Sequence, residues 1–199
     1  MDYGSSYEKD VMQIIETFKQ FIIKIPLKQN LKKLSDFSDK IFKKQKGRNL
    51  SNLGGFQSND LKIEEPILNS LIKEIELNSN IVNNDILKIN STLSLNNIWI
   101  NINKFKDFNV IHKHPFSKLS GVFYVKIPKN SGDLLFVNET EIGCFVNDKD
   151  IIEFNNYNSS TWSIKPEENV LYLFPSWLNH YVKPNLSNEK RISISFNLT

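Results

Sequence analysis

The sequence predicts a mainly β fold, a strand sandwich or barrel preceded by a helical lead-in. Three observations carry this. Near residue 86 the spacing of apolar residues changes from a helical to a strand period. Beyond that point, short β-branched and aromatic runs alternate with turn signals, with no helical pattern between them, which disfavours βαβ units. The chain has 199 residues, 40% hydrophobic and 24% charged, enough to bury one core and too apolar for global disorder.

In chain order, Val11, Ile14, Ile15, Phe18, Phe21 and Ile22 recur at three- and four-residue spacing and predict a first helix that Pro26 ends. Leu31, Leu34, Phe37 and Ile41 predict a second over 31–44. Residues 49–60 form a loop rich in turn residues, and Gly54-Gly55 is a tight turn, not a phosphate loop, because no Lys-Ser/Thr pair follows. A third helix over 66–77 carries Ile67, Leu68, Leu71, Ile72 and Ile75 as its stripe. Leu93 then opens an alternation in which Ile98, Ile100 and Ile102 share one strand face and Trp99, Asn101 and Asn103 the other. Further strands are expected over 121–127, 133–137, 162–164, 170–174 and 191–196, with a long loop or irregular hairpin over 137–161. The expected organisation is one structural unit, in which 1–85 is a helical lead-in and 86–199 the β core.

Composition excludes several functions. Net charge is +3, and lysines alternate with acids, so no nucleic-acid footprint is expected. A single cysteine, Cys144, rules out an internal disulfide framework and a multi-cysteine zinc site, and is expected to be a small buried hydrophobe. Neither a leader nor a bilayer-spanning run is evident, so a cytoplasmic location without membrane attachment is expected. There is no Ala, and only three His and two Arg stand in a Lys-rich chain.

All three His fall in the β part. His112 and His114 are two apart, a spacing that on a strand turns both imidazoles to one face; His180 is expected at another strand end. Neutral imidazole suits iron, zinc, copper or nickel, and three protein ligands leave positions open for substrate and gas. Along 191–197 the alternation puts Arg191, Ser193, Ser195 and Asn197 on one face. An Arg and a Ser two apart on an inward face can hold a carboxylate, the guanidinium fork in a bidentate pair and the hydroxyl with one more hydrogen bond.

Five blocks, Asn109–Pro115 with its His-x-His, Leu119–Val125, Ser131–Phe136, Phe174–His180 and Arg191–Asn197, occur in an order that resembles a family of 2-oxoglutarate–Fe(II) oxygenases, a group common in marine bacteria and phages. Asn52–Ser58 resembles it too, so the likeness spans about residues 50–199. It implies a double-stranded β-helix (a cupin-like jelly roll) with helices packed outside. It also implies Fe(II) as metal, and 2-oxoglutarate and dioxygen as cosubstrates that yield succinate and CO2 while a substrate is oxidised, with hydroxylation as the expected reaction. In that frame His112, His114 and His180 are the candidate catalytic and metal residues. Arg191 and Ser193 would pair with the distal carboxylate of 2-oxoglutarate, and Asn101, Asn103 and Tyr124 could face the cavity and hydrogen-bond the cosubstrate.

The family more often has Asp or Glu where His114 stands. The iron could therefore have a three-His set, or two His completed by Asp133 or Glu139, or a water with His114 behind it. The first needs no residue beyond those already on suitable elements. Two alternatives remain beside the oxygenase: a cupin-like three-His dioxygenase or isomerase that does not use 2-oxoglutarate, and a non-catalytic jelly-roll binding module. A homodimer through the N-terminal helices is a further expectation, and Trp177 is expected to be a packing anchor.

Overall fold

Ile98, Ile100 and Ile102 on one strand, and Ile192, Ile194 and Phe196 on its neighbour, are almost wholly buried, and they explain how the molecule is layered. A computed structural model describes residues 15–140 and 146–199. These apolar faces point outward from a six-stranded antiparallel sheet, ordered β1-β9-β6-β11-β4-β3, and two helices cover them. The strands are β1 (Ile23–Pro26), β3 (Phe56–Gln57), β4 (Leu95–Asn103), β6 (Leu119–Lys126), β9 (Val170–Pro175) and β11 (Arg191–Leu198). The opposite, polar face looks across to a five-stranded sheet, ordered β2-β5-β10-β7-β8. It contains β2 (Asn52–Leu53), β5 (Phe108–His112), β7 (Leu134–Val137), β8 (Thr161–Ile164) and β10 (His180–Val182). Val122, Tyr124, Leu134, Phe136, Tyr172, Phe174 and Leu178 pack between the sheets. This is the expected double-stranded β-helix.

Helix α1 (Leu31–Lys44) starts where Asn30 accepts from the Lys33 amide at 3.0 Å, and Lys43 and Lys44 suit the negative end of its dipole. Leu34 is buried against the sheet, and Phe42 meets Phe56 edge-on at 5.0 Å. Helix α2 (Asn69–Ile81) buries Leu71, Ile72 and Ile75 and runs into a π-helical turn over Val82–Ile86. It begins three residues later than the periodicity predicts, because Glu65 and Pro66 first form a tight turn, accepting from the amides of Leu68 and Asn69. No helix among the described residues is long and apolar enough to cross a membrane.

The first predicted helix is corrected in part. Val11 and Ile14 lie outside the described residues, as does Cys144. Residues 15–22 are irregular, with Ile15 and Phe18 exposed, and Ile23–Pro26 is an edge strand on β9. Ile23 and Ile25 pack on the core at a two-residue period, and Pro26 is tolerated because an edge strand need not donate on both sides. The 49–60 loop also contains strands: β2 pairs with β5 and β3 with β4, so this short segment bridges the two sheets and walls one side of the interior. Its turn requires Gly54, whose φ of 79° lies in the left-handed region that favours glycine. The predicted irregular hairpin is present in its described part, with Val137 paired to Thr161.

Candidate active site

β5 ends at His112, and directly across the ladder β10 begins at His180. His114 lies just past the end of β5, in a loop and not on the strand, and its amide donates to the Ser176 carbonyl at 2.9 Å, which brings the ring back over the other two. His180 opens its own short strand after the turn that follows β9. One ligand nitrogen from each of the three rings lies within 4.8 Å of the others.

The tautomers follow from the backbone. His112 Nδ1 is 2.8 Å from the Val110 carbonyl and His180 Nδ1 is 2.9 Å from the Leu178 carbonyl. A carbonyl only accepts, so each Nδ1 carries the proton and each Nε2 keeps its lone pair. His114 Nε2 stands 3.3 Å from His180 Nε2. Burial lowers all three pKa values: His180 well below its ordinary value, with His112 adding to the shift, and His114 to about 4; at His112 the bond to Val110 opposes the effect. The rings are neutral at pH 7, as metal ligands must be. Phe174 packs edge-on against His180 at 4.8 Å and Trp99 lies 5.8 Å from His114, so the cluster has an apolar backing. A donor set of three neutral imidazoles, two with fixed tautomers, fits a divalent transition metal.

Of the alternative carboxylate ligands, neither joins this group. Asp133 accepts from Ser163 Oγ at 3.1 Å, and Glu139 accepts from Asn179 Nδ2. Trp177 is about half exposed and does not anchor the core; the apolar residue buried in that turn is its neighbour Leu178.

The rings open on a cavity of about 630 Å³ between the sheets. At its other end lies Arg191, 1% exposed. Its Nη1 donates to the carbonyls of Ser131, Gly132 and Lys183, whereas Nη2 is buried without a hydrogen-bond partner. Burial lowers the Arg191 pKa, opposed by Tyr124 and Asp107, and no carboxylate forms an ion pair with it among the described residues. Ser193 follows on the same face. In register it lies between Asn101 of β4 and Tyr124 of β6, and all three line the cavity. Asn101 donates to Ser195 Oγ at 2.9 Å, and burial raises the pKa of Tyr124, keeping it a neutral phenol. A buried guanidinium with a free donor, beside a hydroxyl and a phenol, can hold a carboxylate.

Residues 97–197, just over half of the chain, match the family described as "Putative 2OG-Fe(II) oxygenase". The chain belongs to this family. Solved structures of 2-oxoglutarate–Fe(II) oxygenases share its fold. A Pseudomonas putida prolyl-4-hydroxylase superposes with a TM-score of 0.64 at 11% identity, covering 90% of this chain and 92% of that one. The viral collagen prolyl hydroxylase of Paramecium Bursaria Chlorella virus-1, in complex with 2-oxoglutarate, gives 0.58 at 14%, with 90% and 96% covered. HygX from Streptomyces hygroscopicus, with nickel and 2-oxoglutarate bound, gives 0.62 at 10%, with 90% and 82% covered. No curated protein matches the sequence significantly. For a 2-oxoglutarate–Fe(II) oxygenase, the three-His group and the buried guanidinium are the features expected to take the metal and an acidic cosubstrate.

Asn103 lines the cavity on the same face as Asn101; it is paired with Arg191 across the ladder and is 2% exposed with Nδ2 unpartnered. Two cavity residues escaped the sequence reading: Gln57, on β3, and Arg48, bridged to it. Arg48, the other rare Arg, pairs with Asp60. Its scarcity was the one available signal.

Proposed function

We propose that this protein is an Fe(II)- and 2-oxoglutarate-dependent oxygenase that hydroxylates a small-molecule or side-chain substrate. His112, His114 and His180 hold the metal, and Arg191 with Ser193 binds the distal carboxylate of 2-oxoglutarate. The observation that carries this is Arg191 Nη2, a buried cationic donor with no partner, in one cavity with three neutral imidazoles. Leaving such a group unpaired is costly, and an anionic ligand relieves the cost.

The protein's own contribution is orientation. The Val110 and Leu178 carbonyls fix two rings with Nε2 inward, and the Ser176 carbonyl holds the backbone of the third. Tyr124 and Asn101 offer hydrogen bonds to the cosubstrate, and Phe136 and Phe174 keep water from the back of His180. When bound, Fe(II) with 2-oxoglutarate and dioxygen supplies the oxidising power to functionalise a C–H bond, with release of succinate and CO2. A cytoplasmic setting, a single structural unit formed by 1–85 on 86–199, and pairing of two copies through the helices belong to the same reading.

The test is succinate formation by iron-loaded protein given 2-oxoglutarate and oxygen. Slow succinate release is expected without a prime substrate, and its loss in a His180→Ala variant. Folded, iron-loaded protein that forms no succinate overturns the reading. Tight iron binding without any 2-oxoglutarate dependence would instead support a three-His enzyme that does not use it.

A further inference from the structure

At the metal end of the cavity, four polar side chains form a chain of hydrogen bonds whose direction the structure determines. Ser176 Oγ lies 2.7 Å from Ser120 Oγ, Ser120 Oγ lies 2.7 Å from Asn197 Oδ1, and Asn197 Nδ2 lies 2.9 Å from Asn97 Oδ1. Ser176 and Ser120 have no solvent exposure, and Asn197 has 8%. Asn97 is half-buried and lines the cavity with Trp99, His114 and Pro115.

Ser176 is the closed end. Its hydroxyl has one side-chain partner among the described residues, Ser120, so its proton must go there or remain buried and unpaired. Ser120 has one proton and already accepts from Ser176, so it donates to Asn197. Asn197 must then present its oxygen to Ser120 and its NH2 to Asn97. Asn97 in turn commits its oxygen to Asn197. Its NH2 has no partner among the described residues, and that group only donates. The reverse order, with both amides turned over, would strand the Ser176 proton in a site without water access. The surroundings agree in sign: Arg48, Lys113 and Arg191 line the cavity, and no Asp or Glu does among the described residues.

We propose that Asn97 is a specificity-determining residue that presents its N–H donors in the cavity shared with His114, and that the substrate oxidised here carries a carboxylate or carbonyl oxygen at that end. The site of substrate binding rests on the oxygenase reading; the polarity of Asn97 does not. The Ser176 residue that starts the chain also accepts the His114 amide through its carbonyl, so one residue ties the substrate-facing donor to the loop of a metal-binding ring.

The test uses labelled full-length protein saturated with Zn(II) and 2-oxoglutarate, so that the metal and the Arg191 end are filled. The side-chain NH2 resonances of Asn97, assigned by their loss in Asn97→Asp, are followed while acetate, acetamide or methylammonium is added. Acetate and acetamide are expected to shift them and methylammonium is not, with acetate binding about tenfold weaker to Asn97→Asp. A response to acetate alone narrows the group to a carboxylate, and a response to acetamide alone narrows it to a neutral carbonyl. A coupling across the hydrogen bond from the Asn197 side-chain nitrogen to the Asn97 carbonyl carbon is also expected, and it needs no variant. A coupling in the opposite sense, or a methylammonium response equal to that of acetate, overturns the proposal. Neither measurement involves turnover, so it can fail while succinate formation stands, and the converse also holds.

Discussion

His114 Nε2 and His180 Nε2 face one another at 3.3 Å, although 66 residues separate them in the chain. Two nitrogens that each lie about 2.1 Å from a shared ion would stand at about this separation. Without an ion, neither ring takes up a second proton at low cost, since both are poorly hydrated and adjoin His112. Metal binding and proton binding therefore compete for the same atoms.

A pH dependence of stability follows. A histidine whose folded pKa lies below its unfolded value gains a proton on unfolding. The metal-free protein should therefore keep its full stability above pH 6.5 and lose it as pH falls toward about 4, the folded value at His114. Thermal midpoints of chelator-treated protein across that window check this. His114→Gln, which cannot titrate, should show a shallower slope than the parent, and equal slopes would contradict the pKa assignment.

Arg191 should separate stability from ligand binding. Its guanidinium is buried with one nitrogen unpartnered, so Arg191→Met removes a desolvated charge, and this offsets the loss of the Nη1 bonds to the Ser131, Gly132 and Lys183 carbonyls; the stability of the ligand-free protein should change little. The same change should weaken 2-oxoglutarate binding by about thirtyfold or more. Arg191→Lys keeps the charge but loses the fork and should fall between the two. Calorimetric titration together with urea unfolding of each variant measures both effects. A variant that binds 2-oxoglutarate normally would remove Arg191 from the site.

Gly121 sits in β6 at the centre of the larger sheet, where a Cβ would meet the Phe196 ring and stand 2.7 Å from the Tyr172 carbonyl oxygen. Neither neighbour can withdraw without disturbing the ladder. Gly121→Ala should cost about 1–3 kcal/mol by overpacking, read as a lower urea midpoint at unchanged slope. An unaltered midpoint would mean that the strands separate more readily than their packing suggests.

Much of this arrangement was legible in the chain because alternation reports two faces at once. Ile98, Ile100 and Ile102 lie under the helices while Trp99, Asn101 and Asn103 line the cavity, and Arg191 and Ser193 share that inner surface. The misread segment is instructive. Ile15, Phe18 and Phe21 imitate a helical stripe, but the local pattern that determines structure is the four-residue Ile23–Pro26, held by β9 far along the chain. The two-residue strands β2 and β3 have no period of their own and owe their pairing to β5 and β4. For the same reason Gln57 and Arg48 could not be assigned to the site, since only the pairing of β3 with β4 and the Arg48–Gln57 bridge place them there. His114 was readable as a partner of His112, although the bond from its amide to Ser176, not a continuing strand, turns it inward.

The central claim is that one cavity binds Fe(II) through three histidines and 2-oxoglutarate through Arg191. The most direct measurement is an anaerobic titration of the metal-free protein with Fe(II) and then 2-oxoglutarate, followed by visible absorption. A weak charge-transfer band should appear only when both are present, saturate at one equivalent of each, and vanish in His180→Ala. Bound iron that gives no band with 2-oxoglutarate, or a band that survives in His180→Ala, would contradict it.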